Sequence, residues 1–410
     1  MTRVRTALLL ALVGAALLAG WRLVGILSSD AALAAGDPAA ALRWRPGDVA
    51  ARWADARRVR ERGDPADLEA AARRLLQAAP ADGRGYRLLA EAAVARVQPA
   101  QALHWYRVAA ARAPRDVPAR AWLAQHALES GDVDAALVQI DQVLTLSPAA
   151  GRTAFPVLAQ LARDPRFATR LAARLAARPA WRGGMLAALQ GASPDGREAM
   201  DQVLSALHRQ GGLDDAEFDA WIDALMHQGR WGEAHARWFG ARLPTATRIP
   251  LLYNGDWRAT PRNAGFDWRI RQVPGVLVEV HPGRDRSGDL HIRLLGRRVV
   301  ETGVEHAVLL PPGHYRLDWR ERSQSLRATR GLGWRIACAN GRPLAASAPL
   351  DGSRPWREQH LGFQVPAQEC PGAWLRLGSG GEGGGGQVAS GEAWFSDVRL
   401  ARDPSGPPTP

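Results

Sequence analysis

The sequence predicts a multidomain chain that is α first and β last: an N-terminal transmembrane helix, an α-solenoid of repeated helix pairs, and a C-terminal antiparallel β-sandwich. Three observations carry this expectation. The segment from Ala7 to Leu27 is almost wholly apolar and has the ~20 residues a helix needs to cross a bilayer. Pro46, Pro80, Pro114 and Pro148 stand 34 residues apart, and a fixed period of that length marks a repeat architecture. After Pro244 the hydrophobic period changes from that of a helix to two, the period of a half-buried strand.

Residues 1–30 form the expected anchor. Arg3 and Arg5 precede the apolar run, which places the N-terminus in the cytoplasm and the bulk of the chain in the periplasm. Arg22 lies near the far end of the span, where it can snorkel to the interface, and Trp21 suits the same depth. "AALAAG" offers small residues to a signal protease. The long apolar run and the interruption at Trp21-Arg22 favour a retained inner-membrane anchor over a cleaved signal.

Residues 31–150 carry the period. Between Pro80 and Pro114, Tyr86, Leu89, Ala90 and Ala93 mark the inner face of one helix, and Ala102, Tyr106 and Ala109 that of the next. Ala90 and Ala102 are small enough for close helix approach. Pro114 ends the second helix and opens the following unit. That unit repeats the pattern with Trp122, Leu123, Ala124 and Ala127, then Ala136, Ile140 and Val143, and ends at Pro148. Gly63 and Gly131 sit at the turns within pairs.

The set Tyr86, Ala90, Ala102, Tyr106, Pro114, Ala124, Gly131, Ala136 and Pro148 resembles the tetratricopeptide repeat (TPR) family. The resemblance implies a curved stack with a groove for a protein partner, and no chemistry. Tyr86, Tyr106 and Trp238 are expected in its core. From 151 to 213 the period is lost. It returns in Phe218, Trp221, Ile222 and Leu225, with Gly229 at a turn and Ala234, Trp238 and Ala241 following. Residues 151–245 therefore read as degenerate TPR-like helical pairs.

Residues 246–402 read as the sandwich, with 403–410 as a disordered tail. Strands such as "GVLVEVHP", "DLHIRLLG" and "GLGWRIACA" are separated by turn signals at Pro282-Gly283, Pro312-Gly313 and Asn340-Gly341. Alternation assigns Leu290, Ile292 and Leu294 inward, with Tyr315, Leu317, Trp319, Leu332, Trp334, Ile336 and Cys338. It assigns His291, Arg293, Arg316, Asp318, Arg320 and Arg335 outward as candidate ligand-facing residues. Trp257, Trp356 and Trp374 remain as aromatic platforms.

Asn254, Gly255, Trp257 and Trp268 ahead of the strands, and Trp394, Phe395, Asp397, Val398 and Leu400 at their close, resemble jelly-roll carbohydrate-binding modules of the galactose-binding-like type. The order of anchor, repeats and terminal jelly roll also resembles TPR proteins associated with exopolysaccharide gene clusters of Gram-negative bacteria. That resemblance implies a setting rather than a mechanism.

The net charge is +12, and every basic residue is arginine. Such a balance suits an anionic partner, and Arg forks on an outward face suit carboxylates. Lipid head groups or an acidic polysaccharide could supply that partner; no basic block or nucleic-acid motif points to DNA or RNA. Cys338 and Cys370 are the only cysteines. Export makes them a disulfide, and without neighbouring histidines they are poor metal ligands.

No HExxH or Gly-x-Ser-x-Gly occurs, and Asp214-Asp215 reads as a helix start. Asp285 and Asp289 flank a turn that could ligate calcium, although Arg284 and Arg286 oppose a cation. No cofactor, catalytic metal or enzymatic activity is expected. The function expected is a non-catalytic envelope scaffold with a glycan-contacting sandwich; the alternative is a purely structural protein–protein scaffold that binds no sugar.

Overall fold

The structure is a computed structural model and describes residues 2–190, 197–283, 287–379 and 386–403. Asp285 of the calcium expectation and the tail beyond Asp403 lie outside the described residues. The chain separates into two compact units, Met1–Gly212 and Leu213–Pro410.

In the first unit, α1 (Thr2–Ala34) is one continuous helix. Its Leu10–Ala34 stretch has a mean hydropathy of 2.0 and is long and apolar enough to cross a membrane. Leu12, Leu17, Leu18 and Leu27 are exposed along it. Seven helices follow: α2 (Pro38–Trp44), α3 (Val49–Arg62), α4 (Pro65–Ala78), α5 (Gly83–Ala95), α6 (Pro99–Arg112), α7 (Val117–Glu129) and α8 (Val133–Leu146). Residues 49, 83 and 117 begin the first helices of three pairs and 65, 99 and 133 the second, each 34 residues on.

The proline spacing works through a cap. Each proline stands two residues ahead of an aspartate in Pro46-Gly-Asp48, Pro80-Ala-Asp82 and Pro114-Arg-Asp116. The carboxylates of Asp48, Asp82 and Asp116 accept from the N–H groups of Ala51, Arg84 and Ala119, satisfying donors that a helix start leaves unpaired. Asp116 has a second task. Its other oxygen accepts from Arg87 Nε at 3.0 Å, and Arg87 also donates to Glu91 at 2.7 Å, so α5 is pinned to the start of α7.

At the turn within each pair the chain needs a left-handed residue. Gly63 (φ 83°) and Gly131 (φ 77°) supply it; Val97 occupies the equivalent position at φ 58°, a conformation costing a branched residue on the order of 1–2 kcal/mol.

Ala90, Ala102, Tyr106, Ala124 and Ala136 are buried. Tyr106 stacks on Trp122 at 4.2 Å, and burial pushes its phenol up to about 12. Tyr86 is half-buried, stacks on Trp105 at 5.9 Å and donates from its hydroxyl to the carbonyl of Pro80.

The regular pairing ends where the cap does. Pro148-Ala-Ala150 has no aspartate and forms a single 3-10 turn. α9 (Gly151–Leu161) starts in phase without a side-chain cap, and α10 (Pro165–Ala176) starts two residues early. α11 (Arg182–Gln190) and α12 (Arg197–Arg209) follow; α10 packs on α12 and α9 on α11.

α13 (Asp215–His227) and α14 (Trp231–Arg242) open the second unit. This last helix pair packs on the segment that leads into the sandwich. Asp215, Asp219 and Asp223 form an i, i+4, i+8 stripe on α13. Arg262 bonds Asp215 and Asp219 at 3.1 and 3.0 Å, and Arg269 bonds Asp223 at 2.7 Å. Trp238 of α14 is fully buried, 5.0 Å from the Tyr253 ring and 6.2 Å from that of Phe266.

Among the described residues the strands are β1 (Trp268–Ile270), β2 (Val276–His281), β3 (Asp289–Val299), β4 (Glu301–Val308), β5 (Gly313–Ala328), β6 (Leu332–Cys338), β7 (Pro343–Ala346), β8 (Gly352–Val365), β9 (Ala373–Ser379) and β10 (Gln387–Arg402). They form two antiparallel five-stranded sheets, ordered β1-β4-β9-β6-β7 and β2-β3-β10-β5-β8. The inward set is as alternation assigns it: Leu290, Ile292, Leu294, Tyr315, Leu317, Trp319, Leu332, Trp334, Ile336 and Cys338 are all buried.

Asn254 adopts φ 53° and brackets Ala259, accepting from its N–H at 3.0 Å and donating to its carbonyl at 2.8 Å. Trp257 is fully buried and stacks on Trp268 at 4.4 Å, so it is core and no platform. Cys338 and Cys370 form a disulfide that ties the end of β6 to the segment before β9. Closing a loop of 32 residues contributes about 3–4 kcal/mol in the chain-entropy account.

His306 on β4 is buried between the carbonyls of Tyr253 and Ala307, and burial pushes its imidazole down to about 4. Its folded pKa lies below the unfolded value of 6.5, so the unfolded chain binds the proton first as pH falls. Stability is therefore unaffected above 6.5 and lost between 6.5 and 4, by about 3 kcal/mol in all. Urea titrations across that window on the protein and on His306→Gln check this; the variant loses the slope.

Candidate functional site

The outward candidates divide between the two sheets. His291, Arg293, Arg316, Asp318 and Arg320 lie on the outer face of the β2-β3-β10-β5-β8 sheet. Arg335 is on β6, in the other sheet, where it lines a cavity of about 680 Å³ with Glu301, Trp374 and Arg376. The six do not form one surface, because alternation separates inside from outside but does not say which sheet a strand joins.

Five of the six still differ in role. Arg316, Asp318 and Arg320 line an open groove of about 380 Å³ between β5, β8 and β10, together with Glu358, His360, Asp397 and Arg399. Arg293 stands apart on β3, bonded to Glu392 at 3.0 Å. His291 is 7% exposed rather than free. It lies parallel to Trp394 at 4.6 Å, with the guanidinium of Arg322 over the same indole at 4.7 Å.

A β-bulge brings Asp397 into the groove. The register of β10 against β5 shifts between Ser396 and Arg399, and Asp397 sits at φ 51°. Such a bulge re-aims a side chain. The sequence carries its signal: in "WFSDVRL" strict alternation would turn Asp397 inward and Val398 outward, and that clash of polarity marks an extra residue. Val398 is buried and Asp397 is not. Glu358, His360 and Arg399 had no comparable mark.

The groove is balanced in charge, with three arginines against three carboxylates. Arg316 Nε donates to Asp318 at 2.9 Å, Arg399 reaches Asp397 at 3.3 Å, and Arg320 stands 3.8 Å from Asp397 on its other oxygen. Each arginine thus has a carboxylate beside it, and the groove presents paired charges rather than a purely positive face. Of the aromatic platforms, Trp356 flanks the groove. It is 37% exposed, with Arg320 at 5.4 Å from its ring. Trp374 belongs to the other sheet and packs edge-on against Trp231 at 5.6 Å.

Neither a protein-family model nor a curated protein sequence matches the chain. Among solved structures it is similar to carbohydrate-binding modules. One described as "CBM4 structure and function" is 13% identical, with a TM-score of 0.29 over 37% of this chain and 99% of that one. A CBM61 in complex with β-1,4-galactotriose is 12% identical, with a TM-score of 0.26 over 38% of this chain and all of that one. The CBM22-1 xylan-binding domain of Paenibacillus barcinonensis Xyn10C is 14% identical, with a TM-score of 0.25 over 36% of this chain and 90% of that one.

Proposed function

We propose that the groove between β5, β8 and β10 holds a segment of polysaccharide, and that the chain is a non-catalytic, membrane-anchored scaffold of the cell envelope. In this reading α1 is retained in the inner membrane and the rest is periplasmic. The TPR-like helix pairs of residues 31–150 dock a protein partner, and the sandwich contacts the glycan during exopolysaccharide or envelope polysaccharide biosynthesis or export.

The observation that carries the reading is the composition of the groove. Sugar hydroxyls donate and accept at once, and bonded Arg–carboxylate pairs offer both kinds of partner within a few ångströms. The exposed indole of Trp356 offers an apolar face for the C–H side of a sugar ring. The charge balance suits a neutral, hydroxyl-rich chain over an acidic one. Asp318 and Asp397 act here as hydrogen-bonding groups held by arginines, with no proton-transfer role.

Affinity electrophoresis of the full-length protein in detergent, through gels containing neutral or acidic polysaccharides, tests this. Retention on a neutral polysaccharide is expected. Trp356→Ala and Arg320→Ala weaken it at least tenfold, while Arg335→Ala, on the other sheet, leaves it unchanged. Migration unaffected by every polysaccharide would leave the sugar-free scaffold standing.

A further inference from the structure

At the opposite edge of the same sheet, β2 and β3 pair so that Glu279 faces His291 and His281 faces Asp289. The four side chains form a square on the outer face. Nε2 of His281 and Nδ1 of His291 each lie 3.7 Å from the same oxygen of Glu279. One donor atom from each of the three residues falls within 4.8 Å of the others. Four-coordinate zinc with bonds near 2.0–2.1 Å needs neighbouring donors about 3.4 Å apart. Glu279 and His281 are exposed, and small shifts of their side chains close that difference.

The ring nitrogens turned away from this cluster are also held. His281 Nδ1 is 3.0 Å from Asp289 Oδ1, and His291 Nε2 is 3.3 Å from Glu392 Oε2. A carboxylate at one imidazole nitrogen places the N–H there and leaves the lone pair on the other. Both rings are therefore set to present a lone pair toward Glu279. His291 is fixed further by its stack on Trp394. Arg293, which would oppose a cation, is engaged by the other oxygen of Glu392 at 3.0 Å.

We propose that Glu279, His281 and His291 bind a zinc ion, with Asp289 and Glu392 orienting the two imidazoles and a fourth position left to water. Two imidazoles and one carboxylate match zinc rather than calcium or magnesium, which take all-oxygen sets. The site shares β10 with the polysaccharide groove but none of its residues: Glu392 belongs to the zinc cluster, Asp397 and Arg399 to the groove.

Full-length protein in detergent, without a histidine tag and stripped by a chelator, is titrated with Zn²⁺ against a chromophoric zinc indicator. One ion per chain is expected, and Co²⁺ in its place gives the visible absorption of a four-coordinate N/O site. His281→Gln and Glu279→Gln, both at exposed positions, lower zinc affinity at least a hundredfold with the circular dichroism unchanged. Asp289→Asn, which touches no metal, lowers it about ten- to a hundredfold by freeing the His281 ring. The proposal is overturned if no stoichiometric ion binds, or if binding survives His281→Gln and Glu279→Gln unaltered. Retention on polysaccharide gels is unaffected by these variants, so the two readings fail separately.

Discussion

Trp238→Ala lowers the stability of the sandwich unit by about 3–5 kcal/mol, the range for emptying a fully buried indole site. The side chain has no exposure and lies among Phe239, Tyr253 and Phe266. Gly265 passes so close that a Cβ there would stand 2.2 Å from the indole nitrogen. The backbone of 251–270 is therefore moulded to this ring, and a cavity cannot collapse without moving it. The arginine–aspartate ladder does not make good the loss. Arg262 and Arg269 retain partial exposure, and pairs of that kind are worth about 1 kcal/mol or less. Urea unfolding followed by fluorescence gives the magnitude, and hydrogen exchange gives the place: α14 and 251–270 lose protection before the β10-β5 pair does. A loss under 1 kcal/mol with unchanged exchange in 213–242 would mean that the helix pair is held elsewhere.

That helix pair also marks where the sequence stops being legible. Phe218, Trp221, Ile222 and Leu225 have helical spacing, and such spacing reads the same whether the partner is a helix or a sheet. The packing of α13 and α14 on 251–270 rests on Trp238 against Phe266 and on Arg262 and Arg269 against Asp219 and Asp223, contacts between segments that a one-dimensional period does not connect. The 34-residue spacing, by contrast, was legible because a Pro-x-Asp cap is local chemistry within a few residues. Inward and outward positions of the strands were legible for the same reason, since alternation is a property of each strand alone. Sheet membership and register are properties of pairs. Alternation therefore assigns Arg335 outward on its strand but does not state that this strand lies in a different sheet from the other five candidates. The square of Glu279, His281, Asp289 and His291 required the register of β2 on β3, which no spacing in the sequence states.

Gly255→Ala is expected to cost about 3 kcal/mol or more, beyond the ordinary range for adding one methyl to a packed site. The position shows no strained φ; the conflict is steric. A Cβ would stand 1.9 Å from the carbonyl oxygen of Val398 and 2.5 Å from Leu252 Cδ2. Leu252 can turn aside, but the carbonyl is backbone in β10. Moving it breaks the bond that Val398 N–H donates to the Gly255 carbonyl at 2.8 Å, and a buried donor left unpaired adds about 1–3 kcal/mol. Gly240→Ala in α14 is the control. Nothing lies within 4 Å of its Cβ position, and an alanine there adds about 0.5–1 kcal/mol of helix stability. Opposite signs for the two substitutions, read as shifts in urea midpoint, are the expected result. A Gly255→Ala midpoint equal to that of the parent would show that the lead-in segment gives way around the methyl, and that Asn254-Gly255 is a turn and not the clasp that locks the closing strand.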